Sequence, residues 1–453
     1  MHQPDMHQPD MHRPDMNLYA EGTTHLGAGH LVRARALAEE AEHIGAGLTL
    51  VTRRQPQSQH HWAWAGLPVR ELDAADAASA VAQLTAQLTA QLEGHGALII
   101  DHPHVAIPPG AIVIEDVVGR TLTGARMVIN PWATPSDYPH LVTCTGPGYA
   151  LLRSAFSPDP QAKRDHRVLV LLGATDHRGL LPALLAALAA AGKEAVTIGS
   201  TPLSATDLAE LMRTCGSGIL SCSGVACEAD ACGMPVVVLR TAPDQQRLAE
   251  CLTATGISVI AAEAPNWLES VLAASPRHAD LFDGGGAARV AARIRESLIV
   301  SPLRAATWAD ANVLLEWAND DATRQASFSS APINRDVHHA WLQAILMDPE
   351  RRLLLCPGGT VRLARTHAEA VVSITVAPLQ RGQGEGRRLL TALTAWARAA
   401  GFAQRLVAWV RHDNQASWHL FSTAGYVRTH DDLIAGHPAT CFVMDLSEMK
   451  ETP

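Results

Sequence analysis

From Met16 to about Leu298, short aliphatic runs alternate with Ala/Leu-rich stretches of helical period. LTLVT (48–52), ALIID (97–101), AIVIED (111–116) and RMVIN (126–130) read as strands. Residues 30–44 and about 78–93 read as helices, because their apolar positions recur at i, i+3 and i+4. Alternation of this kind predicts βαβ units and a parallel sheet. GPGYALLRSAFSPDP (146–160) interrupts it with turn residues and prolines. A second series follows. Its strands are RVLVLLG (167–173), AVTIG (195–199), GILSCSG (218–224), PVVVLR (235–240) and ISVIAA (257–262). Its helices read at 178–191, 205–214, 225–232 and 245–255. The pattern thus predicts an α/β chain with two doubly wound halves, 16–150 and 160–298. Ligands in such sheets bind outside the carboxyl ends of the strands.

The pattern changes near Pro302. LRAATWADANVLLEWAND (303–320) reads as a strand and a helix. RRLLLC (351–356), TVRLAR (360–365), AVVSITV (370–376), RLVAWV (405–410) and ATCFVMDL (439–446) read as strands. APLQRGQGEGRRLLTALTAWARAAG (377–401) is a loop feeding a long helix. A third domain is therefore expected at 302–447. The opening MHQPDMHQPDMHRPD is three copies of one pentapeptide, a period that fits no solenoid unit. Residues 1–15 are expected to form a disordered tail.

Composition narrows the function classes. The chain has 453 residues, which suggests several domains. Its 47% hydrophobic and 18% charged residues describe a globular protein. The net charge is −9 with no basic stripe, so no nucleic-acid partner is expected. No apolar run spans a bilayer and no secretory leader is evident, so no membrane partner is expected and the cytoplasm is the expected compartment. Eight cysteines include Cys215, Cys222, Cys227 and Cys232, without paired metal spacing or a nearby histidine. They read as buried thiols, and no metal is expected.

Chemistry concentrates in three stretches. In HLGAGHLVRARALA (25–38), Gly27 and Gly29 let the backbone turn and approach a ligand. The helix that follows buries Leu31, Ala34, Leu37, Ala38, Ala41 and Ile44. Its free N–H groups suit an anion, and its positive end opposes protonation of His30. A neutral imidazole is what a general base needs. The alternative is a surface histidine at a helix start. In LSCSGVACEADACGMPVVVLRTAPDQQ (220–246), a strand runs into a helix at Ser223, Gly224 and Val225. Their backbone donors suit a diphosphate. Glu228, one turn in, can accept from the two hydroxyls of a ribose. The alternative is a packing loop with a solvated glutamate.

Together these two stretches resemble the nucleotide-sugar enzymes of the GT-B fold. The match is nearer to the UDP-sugar hydrolases of pseudaminic acid biosynthesis. It is carried by LGAGHLVRARALA, IIDHPH, VIEDVVGR, GPGYALLR, LLGATDHRGLL, GVACEADACGMP and FDGGGAARVAARI, in order over residues 20–298. The resemblance implies inverting attack by water at the anomeric carbon, with His30 as base. It also implies UDP-sugar contacts from Gly27, Gly29, Arg33, Asp101, Gly173, Ser223, Gly224, Val225, Glu228 and Gln246. The substrate implied is a UDP-linked 2,4-diacetamido-trideoxy-altropyranose. The chain departs from the family at Pro103, where a tyrosine is usual, at Glu115, where an aspartate is usual, and at Arg35. It also has Asp244–Gln245–Gln246 where an acidic-Asn-Gln run is usual.

The third stretch is VAPLQRGQGEGRRLL (376–390), a glycine-rich turn opening a helix right after a strand. Successive N–H groups there can cradle a pyrophosphate. With NQASWHLFSTAGYV (414–427), it resembles the acetyl-CoA loop and the following segment of GNAT acetyltransferases. The resemblance implies acetyl-CoA as cosubstrate, held by Val376, Arg381, Gly382, Gln383, Gly384, Glu385, Gly386, Asn414 and Phe421. Phe421 stands where many members carry a general-acid tyrosine. Glu369 and His367 are candidate bases, beside a water chain. The segment with Trp317, Asn319 and Arg324 looks like acetyltransferases acting on nucleotide-linked amino sugars. Two consecutive activities in one chain are therefore expected: acetylation of a sugar amine, then release of UDP. A glycosyltransferase with an acceptor, or a binding module without turnover, remain as alternatives.

Overall fold

The computed structural model describes residues 15–22, 29–55, 64, 66–91, 97–172, 176, 178–198, 203–299 and 301–447. Two compact units divide the chain: Met1–Ala133 with Cys144–Ile294, and Thr134–Thr143 with Arg295–Pro453. Residues 1–14 of the expected tail at 1–15, Gly27 and Gly173 lie outside the described residues, while Asp15 begins the first strand.

The first unit contains two sheets. The first has the order β3-β2-β1-β4-β5-β6-β7. Its strands are β1 (Asp15–Ala20), β2 (Gly47–Arg53), β3 (Val69–Leu72), β4 (Ala97–Asp101), β5 (Ile112–Ile114), β6 (Met127–Asn130) and β7 (Val142–Thr145). The pairings from β3 through β6 are all parallel. Leu18, Tyr19, Ile99, Ile100, Val113 and Val128 are fully buried, as expected for central strands covered on both faces. The chain winds outward from β1 to β3, then returns to β4 beside β1. Their carboxyl ends meet in register, with Ala20 opposite Asp101. That reversal is the switch point where doubly wound sheets bind ligands.

The second sheet has the order β12-β11-β10-β8-β9 and is parallel throughout. Its strands are β8 (Val168–Leu171), β9 (Ala195–Thr197), β10 (Ser217–Ser221), β11 (Val236–Arg240) and β12 (Ser258–Ala261). Its switch point falls between β8 and β10. The glycine run at 284–286 has a packing reason. A Cβ on Gly286 would lie 2.0 Å from the Ala150 carbonyl oxygen, so only glycine lets this helix start approach that chain.

The second unit holds one mixed sheet of order β13-β14-β15-β16-β17-β19-β18. Its strands are β13 (Arg304–Ala305), β14 (Arg351–Cys356), β15 (Gly359–Thr366), β16 (Glu369–Val376), β17 (Arg405–Arg411), β18 (Val427–Ile434) and β19 (His437–Asp445). Only the β16–β17 pair is parallel. The helix Glu385–Ala400 covers one face with Leu389, Leu390, Leu393, Trp396 and Ala397. The helices Ala311–Asn319 and Arg335–Met347 pack on Leu353 and Leu355. No described helix is long and apolar enough to cross a membrane.

Candidate functional site

In the first unit, side chains from three elements converge at the β1/β4 switch point. The helix Gly29–His43 places His30 and Arg33 three residues apart, hence on one face. Asp101 ends β4, and Asp116 follows β5. His30 Nδ1 lies 2.7 Å from Asp101 Oδ1. Arg33 Nε donates to Asp101 Oδ2 at 2.6 Å, and its Nη2 reaches the same Oδ1 as the imidazole. Arg33 Nη1 donates to both oxygens of Asp116 at 2.7 Å. Asp101 is 1% exposed. Burial alone would raise its carboxyl, but Arg33 and His30 hold it well below the usual carboxylate range, while burial is likewise outweighed at Arg33 and its guanidinium stays firmly protonated. The tautomer in which Nδ1–H donates to Asp101 leaves a lone pair on His30 Nε2. His30 keeps 17% of its side-chain surface exposed, enough to be reached.

The surrounding shell is built from the same strand ends. Glu21, just past β1, is buried and accepts from Tyr19, from Arg53 at 3.1 Å and from Gln55 at 2.6 Å. Burial would raise the Glu21 carboxyl, but these donors hold it below its ordinary value. His102 is also buried, which keeps its imidazole below its usual range. Arg120 fixes the loop that carries Asp116. It donates to the His102 carbonyl at 2.8 Å, to Glu115 at 3.2 Å and to the Val105 carbonyl.

At the second switch point, Ser223 precedes the helix Gly224–Ala231, whose first turn no side chain caps. Ser221 and Ser223 hydroxyls lie 3.0 Å apart. Glu228 is buried and takes two hydrogen bonds of 3.0 Å from Arg153, which stacks over Phe156. Burial pushes the Glu228 carboxyl above its usual range, although Arg153 opposes this. The carboxylate expected to face a ribose is thus paired with a guanidinium. Gln246 begins the helix Gln246–Ala254, is exposed, and bonds Glu250 at 2.9 Å. Gly29 is exposed at the start of its helix.

In the second unit, register reveals a wedge. The pairing of β16 with β17 covers only Glu369–Arg405, Ala370–Leu406 and Val371–Val407. Beyond it, β16 continues along β15 to Val376, and β17 along β19 to Arg411. The two parallel strands therefore splay apart toward their carboxyl ends. The glycine loop sits at the open end. Gly382 and Gly384 have φ of +73° and +77°, values that L side chains rarely adopt. Gly384 caps the helix Glu385–Ala400 in the left-handed conformation. Gly386 is closely packed, since a Cβ there would come within 3.1 Å of Leu420.

Several side chains expected at acetyl-CoA have other partners. Arg381 pairs with Asp320 at 2.6 Å and donates to Thr323 at 2.7 Å, tying the loop to the helix Asp321–Ala326. Gln383 donates to the Leu379 carbonyl at 3.0 Å. Glu385 lies against Gly358 and accepts from Arg388 at 3.1 Å. Asn414 caps the helix Gln415–Thr423 through the Ser417 N–H at 3.0 Å. Phe421 is buried in the core, its ring 5.0 Å from that of Tyr426. It offers no hydroxyl. The Tyr426 hydroxyl is buried without a hydrogen-bond partner among the described residues, and burial raises it well above its ordinary value. Glu369 pairs with Arg405 at 2.8 Å at the closed end of the wedge, and His367 lies in the preceding turn with a positive φ of 57°. No group of three or more metal-ligating side chains occurs among the described residues.

Asp116, the wedge and the Arg381–Asp320 pair were not evident from sequence. Asp116 lies inside the VIEDVVGR motif, whose acidic pair was the one available clue.

Residues 309–426 match the acetyltransferase (GNAT) family. No curated protein matches the chain significantly. Among solved structures, a spermidine N-acetyltransferase from Vibrio cholerae, in complex with CoA and spermine, is 19% identical. It aligns with 32% of this chain and 95% of its own, at a TM-score of 0.30. The yncA protein from Salmonella typhimurium, with its cofactor acetyl-CoA, is 22% identical over 33% of this chain and 96% of its own, at a TM-score of 0.28. A ribosomal-protein-alanine N-acetyltransferase from Brucella melitensis is 22% identical over 32% and 98%, at a TM-score of 0.29.

Proposed function

We propose that the acetyltransferase domain at 309–426 acts together with a UDP-sugar hydrolase site in the first unit, so that one chain acetylates a UDP-linked amino sugar and then releases UDP. The single observation that carries the hydrolase half is the His30–Asp101 contact at the β1/β4 switch point. A buried carboxylate that orients one imidazole nitrogen leaves the other to take a proton from water. The water attacks the anomeric carbon, and the bond to the UDP oxygen breaks with its electron pair leaving on UDP. Inversion follows from attack opposite the leaving group. The two parallel sheets in one unit are consistent with a GT-B arrangement. The uncapped helix start at Ser223, Gly224 and Val225 supplies donors for the diphosphate. Gly27, Gly29, Arg33, Gly173 and Gln246 complete the UDP-sugar set, with Glu228 reaching the ribose beside Arg153.

In the second unit, the wedge between β16 and β17 receives the pantetheine arm, and the loop from Arg381 to Gly386 cradles the pyrophosphate of acetyl-CoA. Val376 and Asn414 border the arm. A neutral sugar amine attacks the thioester carbonyl. The C–S bond breaks, the thiolate leaves, and the amine loses a proton. Phe421 has no proton to give the thiolate, so water supplies it. The two sites then act independently. His30→Ala lowers UDP release by about 10²–10⁴-fold and leaves acetyl transfer intact. UDP release at the wild-type rate from that variant would remove His30 from the mechanism.

A further inference from the structure

His30 and Arg33 present a problem that the geometry itself poses. Both donors converge on one oxygen of Asp101, and Arg33 Nη2 lies 2.9 Å from His30 Nδ1. A fixed positive charge at that distance opposes a second positive charge on the imidazole. A general base must become that cation as it takes its proton. Asp101 is one carboxylate serving two cations. Asp116 is the second carboxylate, and both of its oxygens are turned on Arg33.

We propose that Asp116 is a positioning and charge-balancing residue for His30, acting through Arg33. It neutralises the guanidinium that abuts the imidazole and draws it toward β5. This rests on the reading of His30 as the base. With Asp116 present, two carboxylates face one guanidinium, and a proton on His30 brings the cluster to neutrality. Without it, Asp101 alone balances Arg33, and the same proton leaves the cluster positive. Other groups do not replace it. Glu21, at the end of β1, is engaged by Tyr19, Arg53 and Gln55. The His102 imidazole, after β4, is held below its usual range by burial and supplies no negative charge. Asp116 is held for this task by its own loop, where its backbone N–H donates to Glu115 at 3.1 Å and Arg120 binds Glu115 in turn.

The test compares full-length wild type, Asp116→Asn and Asp116→Glu. In UDP release, Asp116→Asn moves the acidic limb of the pH–rate profile down by about one pH unit and lowers the plateau. Asp116→Glu restores both, and acetyl transfer is unchanged in all three. A role confined to folding lowers the rate without moving the limb, and that result overturns the proposal. The His30 ring is also titrated by NMR, its signal assigned by its loss in His30→Ala. A downward shift of the midpoint in Asp116→Asn supports the proposal even if no UDP-sugar is turned over, in which case only the hydrolase reading fails. An unmoved midpoint overturns the charge-balancing role whatever the activity.

Discussion

In the proposed mechanism the imidazole of His30 acts as a base only because Asp101 fixes it. Asp101→Asn keeps the shape but loses the charge, so UDP release is expected to fall by about 10²–10⁴-fold in a steady-state assay. The same carboxylate leaves a mark on stability. Its folded value is depressed, so it stabilises the first unit fully above about pH 4, the ordinary carboxylate range, and that contribution is lost as pH falls further. Acid unfolding of Asp101→Asn should therefore show a shallower loss below about pH 4 than wild type. At this scale the sequence was partly legible. A glycine-rich turn followed by His30 is visible in one dimension, and so is a carboxylate at the end of ALIID. That Asp101 and Asp116 share Arg33 was not, because residues 33, 101 and 116 meet only through the β1–β4–β5 register. The Arg153–Glu228 pair is a contact of the same long-range kind, and nothing in the sequence signals that Glu228 has a guanidinium partner.

Elements with strong period were legible nearly to the residue. The helix expected at 205–214 is Ala205–Thr214, and the strand expected at 351–356 is Arg351–Cys356. Two of those missed lack the pattern. VREL in β3 is a short edge strand, and β18 (VRTHDDLI) is polar and exposed along nearly its whole length, so it exists through pairing with β19 and not through burial. The wedge was invisible for a related reason. Splaying is a property of where two strands stop pairing, and both continue as good strands with other partners. The glycine loop at its mouth makes a prediction. Gly384 holds φ +77° with open space around it. Gly384→Ala should thus cost about 1–2 kcal/mol from backbone strain alone and misalign the loop N–H groups. Calorimetry should record weaker CoA binding in this variant, with UDP binding unchanged.

At the scale of the molecule, two compact units carry two proposed chemistries. Thermal unfolding should show two transitions. CoA at about 100 times its Kd should raise one of them by about 2.7 kcal/mol of stabilisation, and UDP the other. Both ligands moving the same transition would contradict separate sites. The proposed pairing has a chemical logic: acetylation would act on the sugar while UDP is still attached, and hydrolysis would then discard the nucleotide. The most direct measurement is mass spectrometry of the full chain incubated with a UDP-linked 4-amino-4,6-dideoxy-N-acetyl-altrosamine, with and without acetyl-CoA. The two-site mechanism predicts CoA, UDP and the free diacetamido sugar in equal amounts when acetyl-CoA is present. A UDP-sugar recovered intact, acetylated or not, would contradict it.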